Sequence, residues 1–331
     1  MKPDVAMLTV RNLKTELRLA RKSWFPVVNG VDLTVMPGET LAVVGESGCG
    51  KSMLAHSILG LLPRHISRIA EGKILLGERD LVGLSETEMR AVRGNDVSMV
   101  FQEPMTSLNP LMTVGRQIAE VILEHEECSR KEALRRAVEL MDTVGIPEPG
   151  VRSVQYPFQL SGGMRQRVAI AIALACRPKV LIADEPTTAL DVTIQAQVLE
   201  LIDRLKKQIG MGVILITHDL GVVAEWAQRV MVMYAGSKVE EADVETFFTS
   251  PTHPYSRALL SSVPRPDAAL EDGKPVQLME ISGTVPPINQ LGPGCTFADR
   301  CPRSTEICTT GKPVLSLHPA GGQVACFHAG A

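Results

Sequence analysis

The residues best suited to phosphate chemistry form one glycine-rich stretch in the first part of the chain. It consists of Gly45, Glu46, Ser47, Gly48, Cys49, Gly50, Lys51 and Ser52. Glycines allow a tight turn in which successive backbone N–H groups point at phosphate oxygens, and a following helix adds the positive end of its dipole. Lys51 would reach the β- and γ-phosphates of a nucleotide, and the Ser52 hydroxyl would ligate Mg²⁺. The stretch therefore predicts a phosphate-binding loop.

The sequence on both sides of this stretch has the pattern that a phosphate loop requires. Residues 41–44 are apolar and predict a buried strand before the loop, and residues 53–62 have a helical pattern after it. A glycine-rich turn that happens to precede a lysine is the alternative interpretation. The strand–loop–helix order favours the phosphate loop.

Two carboxylates follow a second apolar run. Residues 180–183 predict a buried strand that ends in Asp184 and Glu185. Sheets of alternating strands and helices bind ligands at the carboxyl ends of their strands. Asp184 would hold Mg²⁺, and Glu185 would orient and deprotonate the water that attacks the terminal phosphate. An acidic strand end in solvent is the alternative.

A second anion-binding element lies between these two groups. Ser161, Gly162 and Gly163 directly precede a helical pattern over residues 164–176. Two glycines at a helix N-terminus form a nest of N–H donors suited to phosphate. The chain thus contains two phosphate-recognition elements but one phosphate loop, which indicates a single nucleotide domain.

With these elements in this order, the sequence resembles the ATP-binding subunits of ABC transporters. In that family the signature loop of one subunit, here residues 161–163, closes on the γ-phosphate held by the phosphate loop of another. The resemblance implies that Gln102 senses Mg²⁺ and the membrane partner. It also implies that Asp191 contacts the other subunit and that His218 is a switch on the γ-phosphate.

Two further expectations concern the nucleotide site. Trp24 and Phe25 lie in the loop that, by resemblance, supplies the aromatic ring stacked on adenine, and either could serve. Their alternative role is to cover the antiparallel sheet. Cys49 lies beside Lys51 at a helix N-terminus, which predicts a lowered pKa and a reactive thiol that ATP protects from alkylation. The alternative is a small residue tolerated at a turn.

The resemblance also implies the architecture. Strand patterns before residue 102 and after residue 179 are separated by one helical block, which is typical of an α/β core with a helical insertion. We expect an α/β P-loop NTPase of the ABC type, with a mixed sheet core, a small antiparallel β subdomain and an inserted α-helical subdomain. The ATP-binding domain would span residues 1–262, the helical subdomain residues 102–178, and a Cys-rich extension residues 263–331.

Longer segments resemble one branch of the family, the importers of dipeptides and oligopeptides. They are residues 101–110, residues 184–191 and the triplet at 253–255. Members pair two different ATPase subunits with two transmembrane permease subunits and an extracytoplasmic solute-binding protein. The resemblance implies an ATPase at the cytoplasmic face of the membrane that energises peptide uptake. Glutathione, a metal chelate and other peptide-like solutes are alternatives, because this subunit never touches the cargo.

The segment after residue 262 is rich in proline and holds four of the seven cysteines, Cys295, Cys301, Cys308 and Cys326. Their spacing lacks the paired C-x₂-C knuckles of common zinc folds, whereas Cys301-Pro302 is typical of iron–sulfur loops. Similar tails in the dipeptide branch hold a [4Fe–4S] cluster, and the resemblance implies one here. Zinc, with His318 and His328 as reserve ligands, and uncoordinated thiols are the alternatives.

The composition of the chain argues against several other classes of protein. A net charge of −3 gives no basic field for nucleic acid, so no nucleic-acid partner is expected. The longest apolar run, residues 168–176, is far shorter than the ~18–20 residues needed to span a bilayer. The first residues lack the features of a secretory signal, so we expect a cytoplasmic chain. A soluble ABC-type ATPase of DNA repair or translation is the competing interpretation, but the sequence has no long coiled-coil pattern and no second nucleotide domain.

Overall fold

The computed structural model describes residues 5–20, 23–102, 107–187, 191–263, 270–271, 274–275 and 281–329. Contacts between residues divide the chain into two units. The first comprises the described residues of 1–9, 34–40 and 75–216, and the second those of 10–33, 41–74 and 217–331.

Strands recur along most of the described chain. They are β1 (Leu8–Ala20), β2 (Ser23–Val35), β3 (Thr40–Val44), β4 (Ser67–Leu76), β5 (Arg79–Asp80), β6 (Val97–Val100), β7 (Val180–Asp184), β8 (Gly212–Ile216), β9 (Arg229–Tyr234), β10 (Ser237–Asp243), β11 (Leu270–Glu271), β12 (Lys274–Pro275), β13 (Ser316–Leu317) and β14 (Gln323–Val324).

Helices alternate with these strands. They are α1 (Lys51–Ile58), α2 (Glu86–Val92), α3 (Val114–His125), α4 (Arg130–Thr143), α5 (Pro149–Arg152), α6 (Gly162–Ala173), α7 (Val192–Ile209), α8 (Leu220–Trp226), α9 (Val244–Thr249), α10 (Pro254–Ser261) and α11 (Glu306–Thr310). Short 3₁₀ turns occur at Pro157–Gln159, Ile288–Gln290 and Ala298–Arg300.

The first unit is built on three parallel strands, β6, β7 and β8, with β7 in the middle. Every residue of these strands is buried, which explains why their sequences are mostly apolar rather than alternating. Asp184 stands at the carboxyl end of the middle strand. The strands therefore present their functional residues at one edge, as expected for an α/β sheet.

The helical block lies between β6 and β7 in the chain. Helix α3 packs against α4 and α6, and α4 places Ala133, Ala137 and Met141 on its buried face. Ser129 caps the start of α4, because its hydroxyl accepts a hydrogen bond from the Glu132 N–H at 3.2 Å. The prediction of helices inserted into an α/β chain is therefore confirmed.

The second unit contains a mixed sheet. Strand β3 runs parallel to β9, and β10 pairs antiparallel with the other edge of β9. The C-terminal strand β14 then pairs antiparallel with β10, and β13 pairs with β14. Strands β13 and β14 thus extend the sheet that contains the strand before the phosphate loop. The sequence patterns did not predict this addition.

A separate antiparallel sheet accompanies this mixed sheet. Strands β2, β1, β4 and β5 are neighbours in that order, and β4 pairs antiparallel with β5. The expected placement of Trp24 and Phe25 in a loop is wrong, because both residues belong to strand β2. Pro26 interrupts the strand pattern and concealed its first residues.

No helix in the described ranges has both the length and the apolar composition that crossing a bilayer requires.

Candidate active site

The predicted phosphate loop connects β3 to α1, in the strand–loop–helix order expected from the sequence. Two of its glycines are required by neighbouring backbone. A Cβ on Gly45 would lie 2.3 Å from the Met233 carbonyl oxygen, and a Cβ on Gly50 would lie 2.7 Å from that of Val27. Gly50 also has a φ of 96°, which L-residues rarely adopt. The loop is therefore held against the sheet where side chains cannot fit.

The lysine of the loop is buried and turned toward the loop backbone. Lys51 is 7% exposed, and its Nζ donates to the carbonyl oxygens of Gly45 at 2.7 Å and Glu46 at 3.0 Å. Ser52 follows it at the second position of α1. The ammonium group thus lies within the curve of the loop, where a bound phosphate would meet it.

Cys49 corrects one sequence-based prediction. The thiol is fully buried, its Sγ lies 3.8 Å from the Tyr255 hydroxyl, and burial raises its pKa. The nearby Lys51 lowers the pKa by less than burial raises it. The predicted lowered pKa is therefore wrong, because the side chain faces the hydrophobic core behind the loop.

The predicted catalytic carboxylate and the predicted sensor lie together in the first unit. Gln102 follows β6, Glu185 follows β7, and Gln102 Nε2 donates to Glu185 Oε2 across 2.9 Å. Asp184, one residue earlier, is 4% exposed. Glu185 has a φ of 46°, an uncommon backbone conformation for a residue with a side chain, and its N–H donates to the Ile216 carbonyl at 2.9 Å.

The predicted signature loop, Ser161, Gly162 and Gly163, opens α6. Ser161 is the N-cap, and its hydroxyl accepts from the Met164 N–H at 3.3 Å. A Cβ on Gly163 would lie 3.0 Å from Ile194 Cγ2 of α7. Asp191 caps α7 by accepting from the Ile194 N–H at 2.9 Å. The signature loop and the Asp191 turn are therefore adjacent, and Ser161, Gly162 and Asp191 are exposed.

One residue that supports the site, Gln166, was not predicted from the sequence. The Gln166 side chain on α6 is 1% exposed, and its Nε2 donates to the Pro186 carbonyl. This contact ties the signature helix to the residue directly after Glu185. A glutamine at helical spacing from the apolar residues Ile170 and Ala173 was the signal that the sequence offered.

His218 lies in the second unit, exposed, between β8 and α8. Its predecessor Thr217 donates its N–H to the Val43 carbonyl at 3.3 Å, in the strand that leads to the phosphate loop. Asp219 caps α8 through N–H groups of the first turn. The turn with His218 therefore lies beside the strand that carries the loop. Residues 103–106 and 188–190 of the segments quoted above lie outside the described residues.

The two aromatic candidates for adenine differ in their surroundings. The Arg68 guanidinium carbon lies 4.4 Å from the centre of the Trp24 ring, and that of Arg18 lies 5.9 Å away. Trp24 thus forms cation–π contacts on the antiparallel sheet, which is the alternative role foreseen for it. Phe25 is partly buried and, as the next residue of the strand, points to the opposite face.

The four tail cysteines, Cys295, Cys301, Cys308 and Cys326, line one small cavity. Three of the sulfurs accept backbone hydrogen bonds. The pairs are Phe297 N–H with Cys295, Arg303 N–H with Cys301, and His328 N–H with Cys326. Burial raises the pKa of these three thiols. His328 also lines the cavity, and none of the seven cysteines forms a disulfide.

A shared cavity does not by itself show that side chains are arranged to bind a metal ion. Within the described part of the chain, no group of three or more His, Cys, Asp or Glu residues is arranged to hold a metal ion.

Comparisons with known proteins agree with these features. The ABC transporter family model matches residues 28–188, and the model for the oligopeptide/dipeptide transporter C-terminal region matches residues 239–308. The chain is 51% identical to the oligopeptide transport ATP-binding protein AppD of Bacillus subtilis, over 97% of this chain and 96% of that protein. It is 50% identical to the dipeptide transport ATP-binding protein DppD of the same organism, over 91% of this chain and 88% of that protein.

A solved structure extends the agreement to the fold. The dimeric ATP-binding cassette MJ0796, in a post-hydrolysis state with ADP and Pi, superposes with a TM-score of 0.64 at 28% identity. The match covers 72% of this chain and 99% of that cassette. The chain therefore belongs to the ABC transporter family as an ATP-binding subunit, with a C-terminal region of the oligopeptide/dipeptide transporter type.

Proposed function

We propose that this chain is the ATP-hydrolysing subunit of an ABC importer that energises the uptake of dipeptides or oligopeptides across the cytoplasmic membrane. The observation that carries the proposal is that nearly the whole chain, tail included, aligns with ATP-binding proteins of peptide transport. In this proposal residues 1–262 form the ATPase domain, residues 102–178 its helical subdomain, and residues 263–331 the tail.

The phosphate loop would bind the phosphates of ATP. Its backbone N–H groups and the dipole of α1 attract anionic oxygens, and the buried Lys51 ammonium would exchange its carbonyl contacts for the β- and γ-phosphates. Mg²⁺ supplies neutralisation of phosphate charge when bound with ATP, and the oxygens of Ser52, Gln102 and Asp184 are the hard ligands it prefers.

Glu185 would act as the base for the attacking water. The hydrogen bond from Gln102 restrains its carboxylate, and the hydrogen bond from its own N–H to Ile216 fixes the backbone. A carboxylate held in this way accepts the water proton while the phosphoryl group is transferred. His218 would stabilise the γ-phosphate.

A homologous ATPase subunit would complete the site. The exposed Ser161 and Gly162 offer N–H donors at the start of α6 for the γ-phosphate bound by the other subunit, and Asp191 would contact that subunit. The dimeric form of the cassette MJ0796 supports this arrangement. Phe25 would stack on adenine, since the Trp24 ring is engaged by arginines.

Two transmembrane permease subunits would hold the chain peripherally at the cytoplasmic face, with an extracytoplasmic binding protein delivering the solute. An exposed apolar segment of the helical region supports such docking. Val151, Val154 and Phe158 are 58%, 69% and 69% exposed, and Phe158 stacks on Tyr156. The segment is anchored to α3 by hydrogen bonds from residues 114 and 115 to its carbonyls. Exposed apolar patches of this kind mark interaction sites.

The tail cavity would hold a [4Fe–4S] cluster through its four cysteines. Their convergence on one cavity and the N–H groups donated to three sulfurs support this, because such hydrogen bonds stabilise thiolate charge in iron–sulfur sites. When bound, the cluster would cross-link a segment with a small core.

Protein purified without oxygen should be brown and contain acid-labile sulfide. The Cys308→Ser variant should lose both properties, while Cys128→Ser should keep them. Colourless protein with stoichiometric zinc would establish the zinc alternative.

The test of the proposed function is to isolate the tagged chain from membranes and identify its companions. We expect a second ATPase subunit, two permease subunits and a binding protein that carries a peptide. Peptide uptake by cells should stop with Glu185→Gln and continue with Glu200→Gln, an exposed glutamate of α7. Recovery of the chain without membrane proteins would contradict the importer role. A binding protein loaded with glutathione or a metal chelate would show that the solute is not a peptide.

A further inference from the structure

Arg300 in the tail contacts the phosphate loop directly. Its Nη1 and Nη2 donate to Glu46 Oε2 and Oε1 across 2.7 and 3.0 Å, which makes the pair bidentate. The Arg300 side chain is 6% exposed and that of Glu46 is 29% exposed. Two parallel charge-assisted hydrogen bonds, largely removed from solvent, fix the relative orientation of the two groups.

The other contacts of Arg300 hold it in place. Its Nε donates to the Ser282 carbonyl at 2.8 Å, and Nη2 donates to the Ile281 and Gly283 carbonyls at 3.1 and 3.2 Å. Nη1 also donates to the Tyr234 hydroxyl at 3.2 Å. The guanidinium therefore joins one tail segment, the end of β9 and the phosphate loop.

Glu46 is engaged at every polar group. Arg300 holds its carboxylate, the Tyr255 hydroxyl accepts its N–H at 2.8 Å, and its carbonyl accepts from Lys51 Nζ at 3.0 Å. The residue that binds the tail thus also binds the lysine that would meet the phosphates. A displacement of Glu46 would move the Lys51 ammonium and the N–H groups that follow in the loop.

The position of Arg300 depends in turn on the tail cysteines. It ends the 3₁₀ turn Ala298–Arg300, which lies between Cys295 and Cys301. The Ala298 N–H donates to the Cys295 carbonyl at 3.0 Å, and the Cys301 N–H donates to the Ala298 carbonyl at 3.2 Å. The turn that carries the guanidinium is therefore tied at both ends to residues lining the four-cysteine cavity.

We propose that Arg300 is a positioning residue for the nucleotide, which holds the phosphate loop in its binding shape through Glu46 and makes nucleotide affinity depend on the tail. The inference rests on residues 45–52 being the nucleotide site of the proposed function and goes beyond it. Removing one partner leaves a charge without compensation in a largely buried place, so the loop shifts. Removing both partners relieves that penalty, so the two effects are not independent.

The experiment measures equilibrium binding of a non-hydrolysable ATP analogue to the full-length protein. The protein is purified without oxygen, so that any cluster held by the four tail cysteines is retained. The variants are Arg300→Gln, Arg300→Lys, Glu46→Gln and the double variant Arg300→Gln/Glu46→Gln. The matched control is Arg229→Gln, which removes a partly buried ion pair to Glu241, 3.0 Å long, between β9 and β10. Melting temperatures without nucleotide separate loss of folding from loss of binding.

We expect Arg300→Gln and Glu46→Gln each to weaken binding about tenfold, and the double variant to be no weaker than either one. Arg300→Lys should recover part of the affinity, because it restores the charge without the bidentate geometry. The control should stay within about twofold of the wild type. In the assembled transporter, the KM for ATP should rise while kcat changes little.

Wild-type affinity in Arg300→Gln, or effects that multiply in the double variant, would overturn the inference and leave the proposed function standing. An equal loss of affinity in Arg229→Gln would also overturn it, since the effect would then be general destabilisation. If Arg300→Gln does not fold, Glu46→Gln and Arg300→Lys decide the outcome by the same affinity criterion. Failure of the wild type to bind nucleotide would instead remove the proposed function.

Discussion

The side-chain amide of Gln102 donates a hydrogen bond to the Glu185 carboxylate across 2.9 Å, although the residues are 83 positions apart in the chain. They stand at the ends of adjacent parallel strands, β6 and β7. Gln102 therefore orients the group proposed as the base. A partner that moved residue 102 would act directly on the hydrolysis step, through one side chain.

Replacing the base should separate binding from turnover. Glu185→Gln keeps the shape of the side chain and removes its ability to accept a proton, so hydrolysis in the assembled complex should fall by at least about 100-fold. Nucleotide affinity should remain near that of the wild type, and the ATP-bound dimer should accumulate in size-exclusion chromatography. Glu200→Gln is the control, and near-normal phosphate release by Glu185→Gln would remove Glu185 from this role.

Removing the orienting amide should act on the rate more than on binding. Gln102→Ala deletes a hydrogen bond to a charged group, so kcat should drop about tenfold with little change in the KM for ATP. Steady-state phosphate release by the assembled complex measures both constants. Gln208→Ala, an exposed glutamine of α7, should leave them unchanged. An equal kcat for Gln102→Ala and the wild type would contradict the orienting role.

A methyl group at Gly45 should distort the phosphate loop. The Cβ of Gly45→Ala would lie 2.3 Å from the Met233 carbonyl oxygen, so strand and loop must separate. We expect a loss of about 2 kcal/mol in the free energy of unfolding, together with loss of nucleotide binding. Chemical denaturation and an affinity measurement test this. Gly150→Ala has open space around its Cβ and should change neither quantity.

Cys49 should resist alkylation in the folded protein. Burial raises the pKa of its thiol, so little thiolate is present near pH 7, and maleimide should modify the partly exposed Cys128 first in mass-spectrometric time courses. The raised pKa also determines how the stability of the fold changes with pH. The folded protein keeps a proton that the unfolded chain releases above a pH of about 8.5, so stability should decline as the pH rises from that point. A smaller decline is expected for Cys49→Ala, and rapid labelling of Cys49 at neutral pH would refute this account.

The sequence predicted the elements whose determinants are local. The phosphate loop, the acidic end of β7 and the glycines at the start of the signature helix each depend on residues close together in the chain, and the structure places each in its expected secondary-structure context. The presence of both strands and helices, with a helical insertion, was also predicted, because the pattern of apolar residues that indicates each element is local in the sequence.

Contacts between distant residues were beyond the reach of the sequence. Tyr255 is 206 positions from the Cys49 thiol whose surroundings it shapes, and Arg300 is 254 positions from Glu46. The thiol pKa was predicted in the wrong direction because local charge was visible and burial was not. Similarly, the contact of the Arg68 guanidinium with the Trp24 ring joins two strands that are separated in the chain, and it was not predicted.

The pairing of β14 with β10 has a consequence for the solubility of the ATPase. Residues 240 and 241 are opposite 324 and 323, and the Ala325 N–H reaches the Val239 carbonyl at 2.8 Å. A chain cut after residue 262 would leave those N–H and C=O groups along a bare strand edge, which is a template for joining another molecule edge to edge. Strand β14 therefore covers an edge that would otherwise be open to aggregation, and a protein that lacks residues 263–331 should precipitate under conditions in which the protein with them stays in solution.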